Sequence, residues 1–167
     1  MRLERETDGD NWEVETLLDT AFGTGRRGLP SYRLRAGVDP VPELALVARD
    51  EHAEISGTIR FWPISVGSGE YEALLLGPIA VHPTRQGEGI GAWLIREGLD
   101  RARKAGWRFV VLVGDHAYYS RFGFKRCEGV SFPPPTDPAR LLWLGIDGSG
   151  ASLPLGSIGR WCPESFG

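Results

Sequence analysis

Apolar positions change their period several times along the chain, and each change marks an element. Leu3 to Arg5 reads as a short strand. Behind the polar start Asp10-Asn11, the residues Trp12, Val14, Leu17, Leu18, Ala21 and Phe22 recur at near-helical spacing and predict an amphipathic helix. Gly23 to Pro30 reads as a loop and Ser31 to Gly37 as a short second helix, a segment suited to shaping a substrate entrance. From Leu44 the pattern becomes extended. Leu44 to Ala48, Ile55 to Ile64 and Tyr71 to Val81 predict three consecutive antiparallel strands, broken at Asp50-Glu51-His52 and Gly67-Ser68-Gly69. Ile90 to Ala105 then carries Trp93, Leu94, Ile95, Leu99 and Ala102 on one helical face and stops at Gly106. Arg108 to Val113 is a β-branched run, Ala117 to Phe122 a short helix ended by Gly123, and Phe124 to Cys127 extended again. Pro133-Pro134-Pro135 enforces an extended loop, and Arg140 to Ile146 adds a late strand. Ser152 to Phe166 shows no clear period, so residues 151–167 read as a loosely packed tail.

Composition narrows the class. The chain has 167 residues, 41% hydrophobic and 25% charged, which suits one soluble domain over residues 1–167. Cys127 and Cys162 lie far apart without a CxxC or Cys/His spacing, so two reduced thiols are expected and no metal site. Met1 to Asp10 is charged, without an apolar centre, and no run approaches the length of a membrane span, so a cytoplasmic location is the expectation. With a net charge of −3 and scattered cations there is no sustained field for nucleic acid. The densest basic cluster, Arg101 to Lys104, fans out around a helix as a solvated face; a local role beside a phosphorylated cofactor is the alternative.

One segment carries chemistry. Arg85-Gln86-Gly87-Glu88-Gly89-Ile90-Gly91 joins an apolar strand to an amphipathic helix. Glycines let backbone amides approach a ligand closely, and the first turn of a helix has unpaired N–H groups and a favourable dipole for phosphate. The same string is compatible with a plain glycine-rich connection. It also satisfies the dinucleotide pattern through Gly87, Gly89 and Ala92, with Asp115 placed like a ribose-binding acid. Against that stand the five residues, His82 to Gln86, between strand and first glycine, and the few residues left for further parallel strands. A triphosphate loop lacks its Lys-Ser/Thr pair.

Together, the strand Leu74 to Val81, the turn Gln86-x-x-Gly89-x-Gly91, its helix, and Tyr119-Ser-Arg-Phe-Gly123-Phe124 resemble the GCN5-related N-acetyltransferase (GNAT) family over about half the chain. Leu76-Gly77-Pro78-Ile79-Ala80-Val81-His82-Pro83 and Gly114-Asp115-His116-Ala117-Tyr118-Tyr119 are most similar to its bacterial YhbS-like branch. The resemblance implies an α/β (α+β) domain: a mixed, mostly antiparallel sheet of six to seven strands, about four flanking helices, and fourth and fifth strands splayed apart. It implies acetyl-CoA as the acetyl donor. Ile79, Ala80 and Val81 would run beside the pantetheine arm, Gln86, Gly87, Glu88, Gly89, Ile90 and Gly91 would hold the pyrophosphate, and Asp115 would touch the arm.

Moving an acetyl group from a thioester to an amine requires a polarised carbonyl, a neutral amine and a proton for the departing thiolate. By the resemblance Tyr119 falls near the coenzyme sulfur, where a phenol of pKa about 10 donates at neutral pH. Tyr118 faces another direction on a helix and reads as packing or hydrogen-bonded elsewhere, the secondary candidate for the acid. The base is open. Relatives that carry a glutamate on the fourth strand do so where this chain has Leu75; Glu72 lies on the opposite face unless a bulge intervenes, and Glu43, Asp115 and His116 are the other candidates. The implied acceptor is an amine of a small molecule or protein, with a non-catalytic acyl-CoA sensor as the rival reading. Dimers are frequent among resembling proteins, and Trp143 and Trp161 are interface candidates.

Overall fold

The computed structural model describes residues 1–67 and 71–161, so Cys162 and the Ser68-Gly69 turn lie outside the described residues. Its strands are β1 (Arg2–Arg5), β2 (Leu46–Arg49), β3 (Ile55–Val66), β4 (Tyr71–Val81), β5 (Phe109–Val113), β6 (Lys125–Arg126), β7 (Val130–Ser131), β8 (Leu141–Gly145) and β9 (Gly156–Arg160). The helices are α1 (Asn11–Phe22), α2 (Ser31–Arg35), α3 (Ile90–Lys104) and α4 (His116–Tyr119). Seven strands, within the six to seven that the resemblance implied, run in the order β1-β2-β3-β4-β5-β8-β6; β9 joins the edge of β3, and β7 pairs with β9. Only β4–β5 and β7–β9 are parallel. No doubly wound sheet is formed, and the dinucleotide reading of the glycine turn fails with it.

Strand β3 is buried along all its length because helices and loops cover both faces of the sheet. Ile59 and Phe61 point to the side of α3, whose Leu94, Ile95 and Ala102 complete the larger core with Leu74 and Val110. Trp62, Ile64 and Val66 point to the other side and pack with Leu34, Leu75 and Ile158. Period-two burial on both faces gives the near-continuous apolar run read from the sequence. Gly98 belongs to this fit. A Cβ there would stand 2.5 Å from the Phe61 ring, so α3 approaches β3 only because that residue is glycine.

Three expectations are corrected. Helix α1 buries Val14, Leu17 and Leu18, but Trp12 is 78% exposed and Phe22 lies at the rim. The segment after α1 is a short 3-10 turn, Thr24–Gly28, rather than a free loop, because Arg26 folds inward and pairs with Glu15 and Asp19 of α1. The tail is not loose throughout: β9 pairs Arg160, Gly159 and Ile158 with Ile64, Ser65 and Val66 of β3. An alternating signal was invisible there because β9 is a short strand with two glycines.

Candidate active site

The cleft originates where β4 and β5 part. They pair at Leu74–Val110 and Leu75–Val111 only; beyond these two positions the strands separate. A bulge in β4 accompanies the parting. Ile59 pairs with Ile79 but Phe61 pairs with Leu76, so Gly77 and Pro78 together oppose the single residue Arg60. The extra residue reverses the alternation: Leu74 and Leu76 face α3 before it, whereas Ile79 and Val81 face α3 after it, and Ala80 turns to α1. Trp62 Nε1 donates to the Gly77 carbonyl at 2.6 Å and fixes the bulge.

Past the bulge the direction of the backbone donors follows from one bond. His82 N–H donates to Ser56 O of β3 at 2.8 Å, and amide directions alternate along a strand. Ala80 therefore faces β3 as well, and the N–H groups of Ile79 and Val81 point away from β3 into the gap. The Val81 carbonyl accepts from Gln86 Nε2 at 3.0 Å, tying the strand to the glycine turn.

The turn continues the same cleft. Gly87 and Gly89 have φ of 84° and 81°, and no atom lies within 4 Å of where their Cβ atoms would be. Gly89 begins α3 without a side-chain cap, so the amides of Ile90, Gly91 and Ala92 meet no acceptor among the described residues. The cavity here, about 490 Å³, is lined by Ile79, Ala80, Val81, Gln86, Gly87, Gly89, Ile90 and Gly91. Eight of the nine positions predicted for this arc line the cavity. Glu88 is the exception in its side chain, which is exposed and turned to Arg85 at 3.5 Å.

A second cavity of about 410 Å³ adjoins it on the β5 side and contains Asp115, Tyr118 and Tyr119. The Asp115 carboxylate caps α4 by accepting from Ala117 N–H at 3.1 Å. Tyr119 packs edge-on against Tyr118, with ring centres 4.9 Å apart, and also against Phe124. Gly114 makes room for it, since a Cβ would stand 2.5 Å from the Tyr119 ring. Burial, with Tyr118 beside it, raises the Tyr119 phenol above its ordinary pKa, against a smaller opposing pull from Arg140. Tyr118, the secondary candidate, shares the cleft. It lines both cavities, and its hydroxyl stands 3.9 Å from the Cβ position of Gly91.

The base candidates separate clearly. The β3–β4 ladder is unbroken from Tyr71 to Leu76, so Glu72 and Leu75 face opposite sides, and Glu72 accepts from the Trp161 indole at 3.2 Å. Glu43 and His116 line neither cavity, which leaves Asp115 as the one carboxylate in the cleft among the described residues. The Arg101 to Lys104 cluster is neutralised on α3 by Glu97 and Asp100, away from the turn. Missed from the sequence were Arg35, Arg121 and Arg140, which enter the cleft from three separate segments. Spacing gave no signal for them. No group of three or more metal-ligating side chains occurs among the described residues, and no helix is long and apolar enough to cross a membrane.

Comparison with known proteins decides the family. The profile of the acetyltransferase (GNAT) domain matches residues 42–126, half of the chain. The chain belongs to the GNAT family. It is 33% identical over 112 residues to the uncharacterized N-acetyltransferase YhbS of Escherichia coli K12, a match covering 67% of this chain and 66% of YhbS. It is 36% identical over 127 residues to the uncharacterized N-acetyltransferase YjhQ of the same strain, covering 74% of this chain and 67% of YjhQ. Among solved structures, E. coli YhbS in complex with CoA superposes with a TM-score of 0.78 at 25% identity, covering 99% of this chain and 91% of that one. A GNAT family acetyltransferase of Brucella melitensis in complex with acetyl-CoA gives 0.72 at 33% identity, covering 99% and 97%.

Proposed function

We propose that this GNAT domain transfers an acetyl group from acetyl-CoA to a primary amine by direct attack on the thioester. The observation that carries this reading is the continuity of one cleft: the N–H groups of Ile79 and Val81 open into the β4–β5 gap, and the uncapped amides of α3 stand at its end. Its donors suit a pantetheine arm followed by a diphosphate. Ile79 and Val81 extend the sheet onto the arm, and Gln86 to Gly91 hold the phosphates with their backbone. Arg121, which also lines this part of the cleft, adds positive charge there.

A β4 amide polarises the thioester carbonyl as charge develops on its oxygen. The neutral amine attacks, the C–S bond breaks, and Tyr119 Oη gives its proton to the departing sulfur. Its burial suits the role, because a phenol held above its ordinary pKa keeps its proton at neutral pH. Asp115, through water, is the group that accepts the amine's proton. Calorimetry should show binding of acetyl-CoA and none of NAD, and thiol release should then depend on added amine. Absence of acetyl-CoA binding refutes the reading; tight binding without thiol release for any amine favours the sensor.

A further inference from the structure

Arg35, the last residue of α2, is unlike the other inward-facing arginines. Arg26 is held by Glu15 and Asp19, and Arg60 by Glu6 and Glu15. Arg35 forms no ion pair with any described residue, its one neutral polar neighbour is the Tyr32 hydroxyl, and its Nε is fully buried without a partner. Its guanidinium lies 4.7 Å from the Tyr32 ring centre and 5.5 Å from that of Trp62. The Tyr32 hydroxyl is shared with Arg26, which donates to it at 2.7 Å, and it carries no charge to neutralise Arg35. One Nη stands 3.3 Å from the Cβ position of Gly77, directly over the β4 bulge. The side chain thus opens into the Asp115–Tyr119 cavity, beyond the arc assigned to the coenzyme.

The charge balance of that cavity is one-sided. Four charged residues line it: Arg26, Arg35, Asp115 and Arg140. Arg26 is neutralised by α1, and Asp115 gives an oxygen to the α4 cap. What remains is cationic. A polyamine or lysine side chain entering here meets no free acid other than Asp115, whereas an anion meets an unpaired guanidinium whose planar fork suits carboxylate or phosphate. Burial has already removed much of the water around Arg35 and pushes its pKa down to about 10, so it stays charged at neutral pH yet uncompensated.

We propose that the acceptor is an amine carrying an anionic group, a carboxylate or phosphate, which Arg35 binds through its guanidinium while the amine faces Tyr119. The assignment rests on the acetyl-transfer reading and names the substrate class for the same cleft. The aromatic walls, Tyr32 and Trp62, hold the guanidinium plane without neutralising it, which keeps the cation available for a ligand.

The test compares the protein with Arg35→Met and Arg35→Lys, each with coenzyme A saturating so that the phosphate turn is filled. Acetate and inorganic phosphate are titrated by thermal shift. Both ions, or one, should stabilise the unsubstituted protein and leave Arg35→Met unmoved, and the ion that acts identifies the anion class. In turnover, α- and ω-amino acids and 2-aminoethylphosphonate are set against their amides and simple alkylamines. The anionic amines should have kcat/KM roughly tenfold to hundredfold higher, the range expected of a charged hydrogen-bonding group. Arg35→Met should abolish that preference through KM, Arg35→Lys should restore part of it, and acetyl-CoA affinity should not change in either. Equal response to the ions in all three proteins overturns the proposal, as does a preference for neutral or cationic amines. Loss of acetyl-CoA binding in the unsubstituted protein would instead sink the acetyl-transfer reading, and the acetate titration without coenzyme still decides Arg35.

Discussion

At the scale of the residue, the site depends on side chains whose surroundings set their proton state. Tyr119 is buried against Tyr118 and Phe124, and desolvation disfavours its phenolate. Tyr119→Phe removes the donor at nearly constant volume. Steady-state kinetics should show kcat falling about a hundredfold or more, with the acetyl-CoA dissociation constant from calorimetry unchanged. Tyr118→Phe should have the smaller effect. Since the folded state favours the neutral phenol, this group's contribution to stability is complete below the unfolded pKa of about 10 and is lost as pH rises through the higher folded value. The alkaline limb of kcat belonging to Tyr119 should therefore lie above pH 10, roughly, and vanish in Tyr119→Phe; a limb that persists assigns the titration elsewhere. Cys127 contrasts with it: half-buried, its thiol is pushed up to about 11 by desolvation, which leaves little thiolate for reaction at neutral pH.

At the scale of the element, the glycine turn and α3 form one device. Gly89 has φ of 81° and open space at its Cβ position, so its conformation, and not crowding, demands glycine. Gly106 at the other end of α3 has the same two properties, with φ of 94°. The pair separates strain from binding. Alanine at either position should cost about 1–2 kcal/mol of stability, because a Cβ disfavours the left-handed region. Only Gly89→Ala should also weaken acetyl-CoA, about tenfold by calorimetry, through displacement of the amides that meet the phosphates. If Gly106→Ala weakens the coenzyme equally, the turn is not the phosphate site.

At the scale of the whole molecule, the sheet is complete except where β4 and β5 part, and a ligand spanning that gap would join the two halves. Hydrogen exchange should show the Ile79 and Val81 amides fast in the free protein and protected by acetyl-CoA, while Ala80, bonded to β3, stays slow throughout. Equal protection of all three before addition would place their donors in the sheet and close the proposed cleft. A concentration of acetyl-CoA a hundredfold above its dissociation constant should add about 2.7 kcal/mol of stability. Much of this design was legible beforehand. The helical face of α3, the extended runs of β3 and β4 and the glycines of the turn are local patterns, set by side-chain period and backbone freedom, and they carried the resemblance to the family that the comparisons then showed. The strand β9 was hidden, since two of its five residues are glycine and its partner lies about 95 positions upstream. The Gly77-Pro78 bulge, which decides which face Ile79 and Val81 present, exists only as a mismatch between two strands. Arg35 is the clearest case: in the sequence it is one more cation among nineteen, and only the folded chain shows that it lines the cleft without an ion-pair partner among the described residues. Local physics wrote the elements and the glycine turn, whereas charge pairing across distant segments, which no spacing records, decided which charges the cleft leaves uncompensated.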